Sequence, residues 1–507
     1  MAFAHILLYL TFILFCDSAR ILAVFPAPCH SHQLVFRPLT MELARQGHDV
    51  TVITPFPAFL NGTSPKNITE INIGSCIEKL MQKALVDDMK DAKDIYSQQV
   101  IAFDAAKNVF DIIMTELRDF VNSDQVFDLV LGEACARFTV VFSEIFKAPF
   151  IQVSSFGGTF DTFSIVGAPL HPLLYPLAVR EKFKNLTVID KLREIYEHYR
   201  LVKLYYDVEM AENEVARRHL GKGFPTMGEL MKNVEIILLN VHPVWDSNRP
   251  VPPNLIYLGG LHLQEEKELA EELKAELDAT KGVIYMSFGS TVRSSILSQE
   301  KIDIFLNVLA QLPYTVFWKW DMKVNNAPDN VIVRKWFPQA DLLRHPKIKL
   351  FITQGGLQSI DEAIDAGVPM VGVPILWDQW YNVDKIVELE IGVMCDIRTS
   401  SKEDFKNAIE TVLNNTRFKT NIEKLRDVIN DQPQTSLQKA IWWIEHVIRH
   451  NGAKYLKSPA FDMSVTDYFE VYLIVSVIAV CLIIILILTF VIKYSMNILR
   501  NKKVKKD

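Results

Sequence analysis

This chain of 507 residues has few cysteines, no excess of positive charge and no Asp-x-Asp triplet. The net charge of −6 argues against a nucleic-acid partner. The missing triplet removes one common carboxylate pair for a divalent cation, and neither repeats nor low-complexity segments occur. Four widely spaced cysteines lie outside the two terminal apolar runs: Cys29, Cys76, Cys135 and Cys395. They form no disulfide framework and no metal motif, although a single disulfide remains an alternative in an oxidising compartment.

Long apolar runs stand at both ends of the chain. Residues 1–19 predict a secretory signal peptide, with a retained anchor as the alternative. Residues 471–492 carry no formal charge over 22 positions, which predicts a single membrane-spanning helix. The basic residues of 493–507 should remain cytosolic, which places the body of the protein in the lumen.

The last five residues resemble a dilysine retrieval signal for the endoplasmic reticulum, although a short basic tail is equally typical of a stop-transfer flank. The prediction is therefore a single-pass type I protein of the endoplasmic reticulum membrane. Such a location permits glycosylation at the four Asn-x-Ser/Thr sites, Asn61, Asn67, Asn185 and Asn414.

Residues 20–245 predict the first of two α/β domains. An apolar run at 21–25, a helix ending near Gln46 and an apolar run at 50–53 form a βαβ unit, which favours a parallel, doubly wound sheet. Further strands are predicted at 127–131, 150–153 and 234–239, and long helical patterns at 84–122 and 191–218. Loops rich in glycine, proline and aromatic residues at 157–176 are expected to line an apolar cleft.

Residues 246–281 predict a linker, because a proline-rich break at 250–253 precedes a charged run that favours a solvated helix. A second strand–helix series then fills 282–455. Its strands are predicted at 283–287, 315–319, 331–333, 349–353 and 370–373, and a last helix at 435–451. The fold class is thus α/β, with two Rossmann-like domains facing a cleft.

The stretch from Phe351 to Lys385 carries the most specific signal in the chain. A strand ends in Thr353-Gln354-Gly355-Gly356, and a helix is expected to begin near Leu357. Because glycines allow a ligand to approach the backbone, and a helix N-terminus attracts anions, this turn predicts a phosphate site that includes Gln354 and Gly356.

Side chains that follow this turn suit a sugar nucleotide. Gln358 and Ser359 supply donors at the start of the helix, with capping as the alternative for the serine. Glu362 lies four residues after Gln358 on the same helical face, where a carboxylate can accept from two ribose hydroxyls. Asp378 and Gln379 follow the next strand and offer paired polar groups to a hexose, or form a plain loop.

These residues resemble the signature of the UDP-glycosyltransferase family in its membrane-bound animal form, and the resemblance extends over nearly the whole chain. It implies a GT-B architecture in which the last helix returns to the first domain. Trp336 and Gln339 are similar to the residues with which the family binds the nucleotide base, although tryptophan is more often a core residue. Ser290 is similar to a residue of the family's phosphate-contacting loop; the alternative is that this serine only caps a helix. Gln354 stands where many members carry histidine, so the amide would bind phosphate without a positive charge.

His32 is the candidate general base, since it follows the first strand at the edge where open α/β sheets bind ligands. His32 matches the family's catalytic histidine. His30 is the other candidate for the base, and the alternative for His32 is a residue near the helix start with no chemical role. Glu133 falls where the family usually has the aspartate that orients this histidine, and it can also be a plain strand-end acid.

The resemblance implies inverting transfer of a hexose from a UDP-sugar to a hydroxyl of a small lipophilic acceptor, in detoxification, without metal or cofactor. Glucose is the expected sugar, by similarity to invertebrate members and because no visible cation would bind the carboxylate of glucuronic acid. A non-catalytic nucleotide-sugar-binding homologue and a surface receptor remain alternatives. The sequence does not fix the acceptor or the oligomeric state.

Overall fold

The computed structural model describes residues 18–59, 62–89, 92, 94–181, 183, 185–289, 297–322, 324–461 and 463–504. The predicted roles of Ser290, of Asn61, of most of the signal peptide and of the last lysines fall outside these residues. The chain divides into two compact units after Lys457.

The first unit contains two parallel sheets. The first sheet has seven strands in the order β3-β2-β1-β4-β5-β6-β7, namely β1 (Arg20–Val24), β2 (Asp49–Thr54), β3 (Ile68–Asn72), β4 (Leu129–Glu133), β5 (Phe150–Ser154), β6 (Val234–Leu239) and β7 (Leu255–Tyr257). The four consecutive apolar residues 21–24 are fully buried, as expected for a strand covered by helices on both faces.

The second sheet has six strands in the order β10-β9-β8-β11-β12-β13. They are β8 (Val283–Ser287), β9 (Thr315–Lys319), β10 (Val331–Arg334), β11 (Ile348–Thr353), β12 (Met370–Gly372) and β13 (Gly392–Met394). All of its pairings are parallel. Together the two sheets confirm the predicted class of two Rossmann-like domains.

Helices connect and cover the strands. In the first half of the chain they are α1 (His30–Arg45), α2 (Gly74–Gln82), α3 (Ile95–Glu116), α4 (Arg118–Val121), α5 (Val141–Phe146), α6 (Phe160–Ser164), α7 (Val188–Leu220) and α8 (Met227–Met231). In the second half they are α9 (Glu271–Asp278), α10 (Gln299–Leu309), α11 (Gln339–Arg344), α12 (Leu357–Ala366), α13 (Gln379–Glu388), α14 (Lys402–Leu413), α15 (Thr416–Asn430) and α16 (Ser436–His450).

Each sheet has a topological switch point, where neighbouring strands lead into connections on opposite sides. In the first sheet β1 pairs with both β2 and β4, so the switch lies between β1 and β4. In the second sheet β8 pairs with both β9 and β11, and the register aligns Ser287 with Thr353. Open α/β sheets bind ligands at such points, outside the carboxyl ends of the strands.

Three strands and two helical segments differ from the sequence prediction. The pattern predicted over 84–122 is divided, with α3 and α4 as separate helices in its second part. The strands β3, β7 and β13 were missed; β7 and β13 have only three residues each, and β3 has only one buried side chain. The charged linker is helical only over Glu271–Asp278, where Leu273 and Leu277 are buried. The linker helix is therefore shorter than its charge pattern indicated, and apolar contacts of these leucines hold it against the body.

The last helix of the first unit, α16, packs on the first sheet domain. Ala440, Ile441, Ile444 and Val447 share one core cluster with residues of β1 and α1. Beside this cluster the imidazole of the fully buried His48 lies 2.5 Å from Glu445, measured from Nε2 to Oε1. The chain thus returns to its first domain after completing the second, as the family resemblance implied.

The second unit contains α17 (Val465–Tyr468) and α18 (Val471–Val504). Within α18, the 29 residues Val471–Leu499 are long and apolar enough to cross a membrane. None of the most apolar window is buried against protein, which suits a helix whose surroundings are lipid. This helix is a candidate membrane anchor.

Candidate active site

A cavity of about 650 Å³ lies between the carboxyl edges of the two sheets. Its first wall comes from the loop after β1, the loop after β4 and α3; its second comes from the loops after β8, β10, β11 and β12. The described residues predicted for catalysis, UDP binding and sugar binding all line it, except Glu133, which lies directly behind its surface.

His32 and Glu133 meet at the switch point of the first sheet. His32 is the third residue of α1, and Glu133 is the last residue of β4. Nδ1 of His32 lies 2.7 Å from Oε1 of Glu133, and the backbone N–H of Ala27 donates to Oε2 at 2.9 Å. The carboxylate is fully buried, so it fixes the imidazole orientation and leaves Nε2 as the nitrogen available for chemistry.

The contact answers the question raised by the longer side chain at position 133. A glutamate one methylene longer than the expected aspartate still reaches the ring at hydrogen-bond distance. His30 also lines the cavity, but it makes edge contacts with the rings of Phe56 and Trp336. Burial, aided by Arg37, lowers the pKa of His30. Among the described residues, His32 is therefore the cavity histidine with a carboxylate partner, which favours it over its rival.

The turn after β11 forms a cradle at the second switch point. Gly355 has a φ of +91°, and its N–H donates to Thr353 Oγ1 at 3.2 Å. Gly356 then precedes the first residue of α12, so the free N–H groups of this ten-residue helix face the cavity. The Gln354 side chain lies against Gly289 of the opposite loop. Amide donors and the positive end of a helix thus converge where a diphosphate would sit.

Lys319 adds a positive charge that the sequence analysis missed. It is the last residue of β9 and lines the cavity, where its Nζ donates to the carbonyl of Gly289 at 2.5 Å. Its position at the carboxyl end of a predicted strand was the available signal. The cradle therefore contains a positively charged group in addition to the neutral donors that the sequence motif indicated.

Gln339 connects the predicted base and ribose positions. Its Nε2 donates to Ser359 Oγ at 2.9 Å and to Glu362 Oε2 at 2.7 Å, while its Oε1 accepts from Tyr285 at 3.1 Å. Trp336, three residues earlier, is 61% exposed at the cavity mouth. This exposure excludes the core role that is usual for tryptophan and leaves the ring free to stack on a base.

Glu362 should make UDP binding depend on pH. Burial raises its pKa to about 7, and the nearby Asp341 and Asp365 act in the same direction. Because ribose hydroxyls donate to the charged carboxylate, UDP affinity should be nearly full at pH 8 and fall about tenfold between pH 8 and pH 6. Calorimetric titration at several pH values measures this. Glu362→Gln is the control; it should bind more weakly and lose this part of the pH dependence, and an unchanged profile would contradict the assignment.

Gln358 makes a contact that its predicted phosphate role did not anticipate. Its side-chain Nε2 donates to the backbone carbonyl of Ser155 at 2.8 Å, across the cleft. The backbone carbonyl oxygen of Gln358 lies 3.1 Å from His262 Nε2. The side chain lines the cavity while joining the two sheet domains. A phosphate role would require Gln358 to exchange the Ser155 contact for the ligand.

Asp378 and Gln379 begin α13 beside the cradle. Gln379 Oε1 accepts from the backbone N–H groups of Ile375 and Leu376, both at 2.9 Å, which orients its amide. Burial raises the pKa of Asp378, and the nearby His32 opposes that shift. Asp378 and Gln379 line the same cavity as His32.

Asn382 is a positioning residue that no sequence pattern revealed. Its Nδ2 donates to Asp378 Oδ2 and to the carbonyl of Gly355, both at 2.9 Å. Its Oδ1 accepts from the indole N–H of Trp245, also at 2.9 Å. One buried amide therefore couples Asp378 of the predicted sugar-binding pair to the glycine turn and to the segment that leaves the first domain.

Replacing Asp378 with asparagine should weaken donor-sugar binding. Loss of a hydrogen bond to a charged group costs roughly 1.5–3 kcal/mol, so KM for the UDP-sugar should rise about 10- to 100-fold. The affinity for UDP alone should stay within about twofold, because UDP lacks the hexose. Steady-state kinetics combined with UDP titration separate the two effects; an equal loss of UDP affinity would show that Asp378 supports the cradle instead.

The remaining wall of the cavity is apolar and comes largely from α3. Ile101, Ala102, Phe103, Ala106 and Val109 face it, joined by Leu177, Ala178 and Val179 from the loop before α7. The predicted loop 157–176 contributes Gly158, Thr159 and Asp161. The helix supplies more of this wall than the loop that was expected to form it.

The three described sequon asparagines differ in accessibility. Asn185 and Asn414 are exposed. Asn67 is partly buried, and its amide donates to the carbonyls of Ala44 and His48. A glycan on Asn67 would disturb those contacts, whereas Asn185 and Asn414 would carry one without loss.

Solved structures with the same architecture are glycosyltransferases. The glycosyltransferase of kitacinnamycin aligns with a TM-score of 0.60 at 19% identity, covering 85% of this chain and all of that one. A spinosyn forosaminyltransferase aligns with a TM-score of 0.55 at 17% identity, covering 85% of this chain and all of that one. At these identities the likeness establishes the fold, which is GT-B.

The sequence comparisons identify the family. Residues 20–506 match the family described as "UDP-glucoronosyl and UDP-glucosyl transferase". An ecdysteroid UDP-glucosyltransferase of Spodoptera littoralis nuclear polyhedrosis virus is 36% identical, over 89% of this chain and 92% of its own length. UDP-glucosyltransferase 2 of Dactylopius coccus is 29% identical, over 97% and 96%. The chain belongs to this family, so it is an enzyme that transfers a sugar from a UDP-sugar.

Proposed function

We propose that this enzyme transfers glucose from UDP-glucose to a hydroxyl group of a small lipophilic acceptor, with inversion at the anomeric carbon and without a metal ion. The observation that carries this proposal is the placement of His32, oriented by Glu133, across one cavity from the cradle after β11. A base on one wall and an anion site on the other suit a displacement in which the two groups act on opposite faces of the sugar.

The proposed reaction is a single step. Nε2 of His32 takes the proton of the acceptor hydroxyl while its oxygen bonds to the anomeric carbon, and the bond from that carbon to the UDP oxygen breaks. Glu133 stabilises the imidazolium that forms. The departing diphosphate gains negative charge beside the α12 N-terminus, Gln354 and Lys319. Fixed donors and one ammonium group would take the place of a metal ion.

The donor and the acceptor classes rest on separate arguments. Relatives named UDP-glucosyltransferase support glucose. The apolar side chains of α3 and the loop before α7 support a lipophilic acceptor. Because the baculovirus relatives carry the name ecdysteroid UDP-glucosyltransferase, an ecdysteroid is a suitable first acceptor to test.

For its location, we propose the endoplasmic reticulum membrane, with the catalytic unit in the lumen and glycans on Asn185 and Asn414. The apolar helix from Val471 to Leu499 supports an anchor, and the basic residues after it support a cytosolic end. Protease protection of microsomes, followed by glycosidase treatment, tests this orientation. A catalytic unit digested in intact microsomes would refute it.

A screen of donors against acceptors tests the activity. Microsomes containing the chain are incubated with UDP-glucose, UDP-glucuronic acid or UDP-galactose and with phenols, flavonoids or ecdysteroids, with and without EDTA, and products are read by mass. We expect a gain of one hexose with UDP-glucose and no effect of EDTA. Binding of UDP without any product would favour the non-catalytic alternative, against which the His32–Glu133 contact argues.

A further inference from the structure

Three side chains with metal-binding atoms converge at the first wall of the cavity. Nδ1 of His32 lies 2.7 Å from Oε1 of Glu133, and Sγ of Cys135 lies 3.3 Å from that oxygen and 3.9 Å from the same nitrogen. Among the described residues, they are the group whose histidine, cysteine and carboxylate ligand atoms all lie within 4.8 Å of one another. Cys135 is a free thiol, and both it and His32 line the cavity.

The spacing of these atoms suits one tetrahedral ion. Zinc bonds of about 2.0–2.3 Å to nitrogen, oxygen and sulfur place neighbouring ligand atoms roughly 3.3–3.6 Å apart. One observed separation lies at the lower limit of that range, one is shorter and one is longer, so an ion needs shifts of about half an ångström in the side chains. The cavity leaves the fourth position open to water, as in zinc sites with three protein ligands.

We propose that His32, Glu133 and Cys135 form a binding site for Zn²⁺ or another thiophilic divalent cation, and that the bound ion inhibits the enzyme. The inference rests on the proposed function of His32 as the base. A divalent ion with one thiolate, one carboxylate and one neutral imidazole forms a group with no net charge, which suits the fully buried Glu133. Thiolate and imidazole ligands also favour zinc over magnesium or calcium.

Inhibition follows from where the protons go. Binding releases the thiol proton of Cys135 to solvent as sulfur bonds to the ion. The ion takes the Nδ1 lone pair of His32, so the single proton of the neutral ring moves to Nε2. Nε2 then carries a hydrogen and can no longer accept one from the acceptor hydroxyl. The ion also displaces the contact between Nδ1 and Glu133 that orients the ring.

A spectroscopic titration tests binding without any turnover. The full-length protein, purified in detergent, is titrated with Cd²⁺, whose bond to a thiolate produces an ultraviolet charge-transfer band. We expect a band that saturates at one equivalent in the unmodified protein and in Cys76→Ser, because Cys76 is exposed and outside the cavity. Cys135→Ser should lack it. A band that survives Cys135→Ser, or its absence from the unmodified protein, would overturn the proposal.

The kinetic arm measures Zn²⁺ inhibition, with each variant normalised to its own metal-free rate. EDTA should restore the rate. Half-inhibition of Cys135→Ser should require a Zn²⁺ concentration at least roughly 10- to 100-fold higher, because losing even an outer-shell contact of a metal site lowers its affinity by that factor. Equal inhibition of Cys135→Ser and Cys76→Ser, or stimulation by Zn²⁺, would refute the site. UDP affinity and melting temperature verify folding. If no acceptor were found, the transfer proposal would fail, but the charge-transfer band would still test the metal site. The failures of the two proposals are therefore distinguishable.

Discussion

Replacing His32 with alanine is expected to lower kcat by about 100- to 10,000-fold, the usual contribution of a positioned general base. The affinity for UDP should remain, because the residues predicted to bind the diphosphate and the base belong to the second sheet domain. Glu133→Gln should give an intermediate loss, since it keeps a hydrogen bond to the ring but removes the charge that stabilises the imidazolium. Single-turnover kinetics with UDP-glucose and an accepted phenol measure both effects.

His30→Ala is the matched control for this prediction. Both histidines belong to the first turn of α1 and line the cavity, but of the two only His32 is within hydrogen-bond distance of Glu133. The control should therefore keep most of its turnover. A folded His32→Ala protein that binds UDP and turns over at a near-normal rate would refute the proposed base, and a collapse of activity only in His30→Ala would transfer the role to that residue.

Gly355→Ala should destabilise the second sheet domain and abolish UDP binding. A Cβ on Gly355 would lie 2.6 Å from Val383 Cγ2 and 3.1 Å from the carbonyl of Gln379, and the φ of +91° is itself unfavourable for alanine. Left-handed strain of about 1–2 kcal/mol and overpacking of about 1–3 kcal/mol together predict a loss of about 2–5 kcal/mol. Relief by backbone movement would pull the Gly355 carbonyl away from Asn382.

Gly221→Ala separates strain from collision. Gly221 has a similar φ of +97°, but no atom lies within 4 Å of a Cβ placed there. The free energy of unfolding of Gly221→Ala should therefore fall only by the strain contribution, and this variant should bind UDP normally. Thermal unfolding followed by intrinsic fluorescence, together with UDP titration, compares the two variants. Equal destabilisation of both would show that packing against Val383 contributes nothing.

The sequence predicted the parts of this site that are local. His32 follows a buried apolar strand, and the glycine turn with its helix follows another, so strand pattern and turn chemistry place both at the carboxyl edges of sheets. The pairing of His32 with Glu133 was implied by the family resemblance, and the two residues meet because β1 pairs with β4. Residues within about ten positions of one another that were predicted to share a surface line the same cavity.

The missed features depend on long-range packing. Trp245 and Asn382 are 137 positions apart, and neither has neighbours whose pattern predicts their hydrogen bond. Lys319 becomes part of the cradle because β9 lies next to β8, a pairing that alternation along the strand does not specify. The apolar wall comes from α3, whose buried face was visible as a helical pattern but whose direction across the cleft was not.

The return of α16 to the first sheet also determines the order in which the chain can fold during synthesis. The core cluster that contains Ala440, Ile444 and Val447 includes β1 and α1, the first described elements of the chain. Roughly 180 residues separate the end of β7 from α16, and ribosomes need on the order of 10–40 s to add them. During this interval the amino-terminal domain exposes an apolar strip. A chaperone present at that stage would find its binding surface there, and a nascent chain that stalls before Ser436 should be a substrate for degradation.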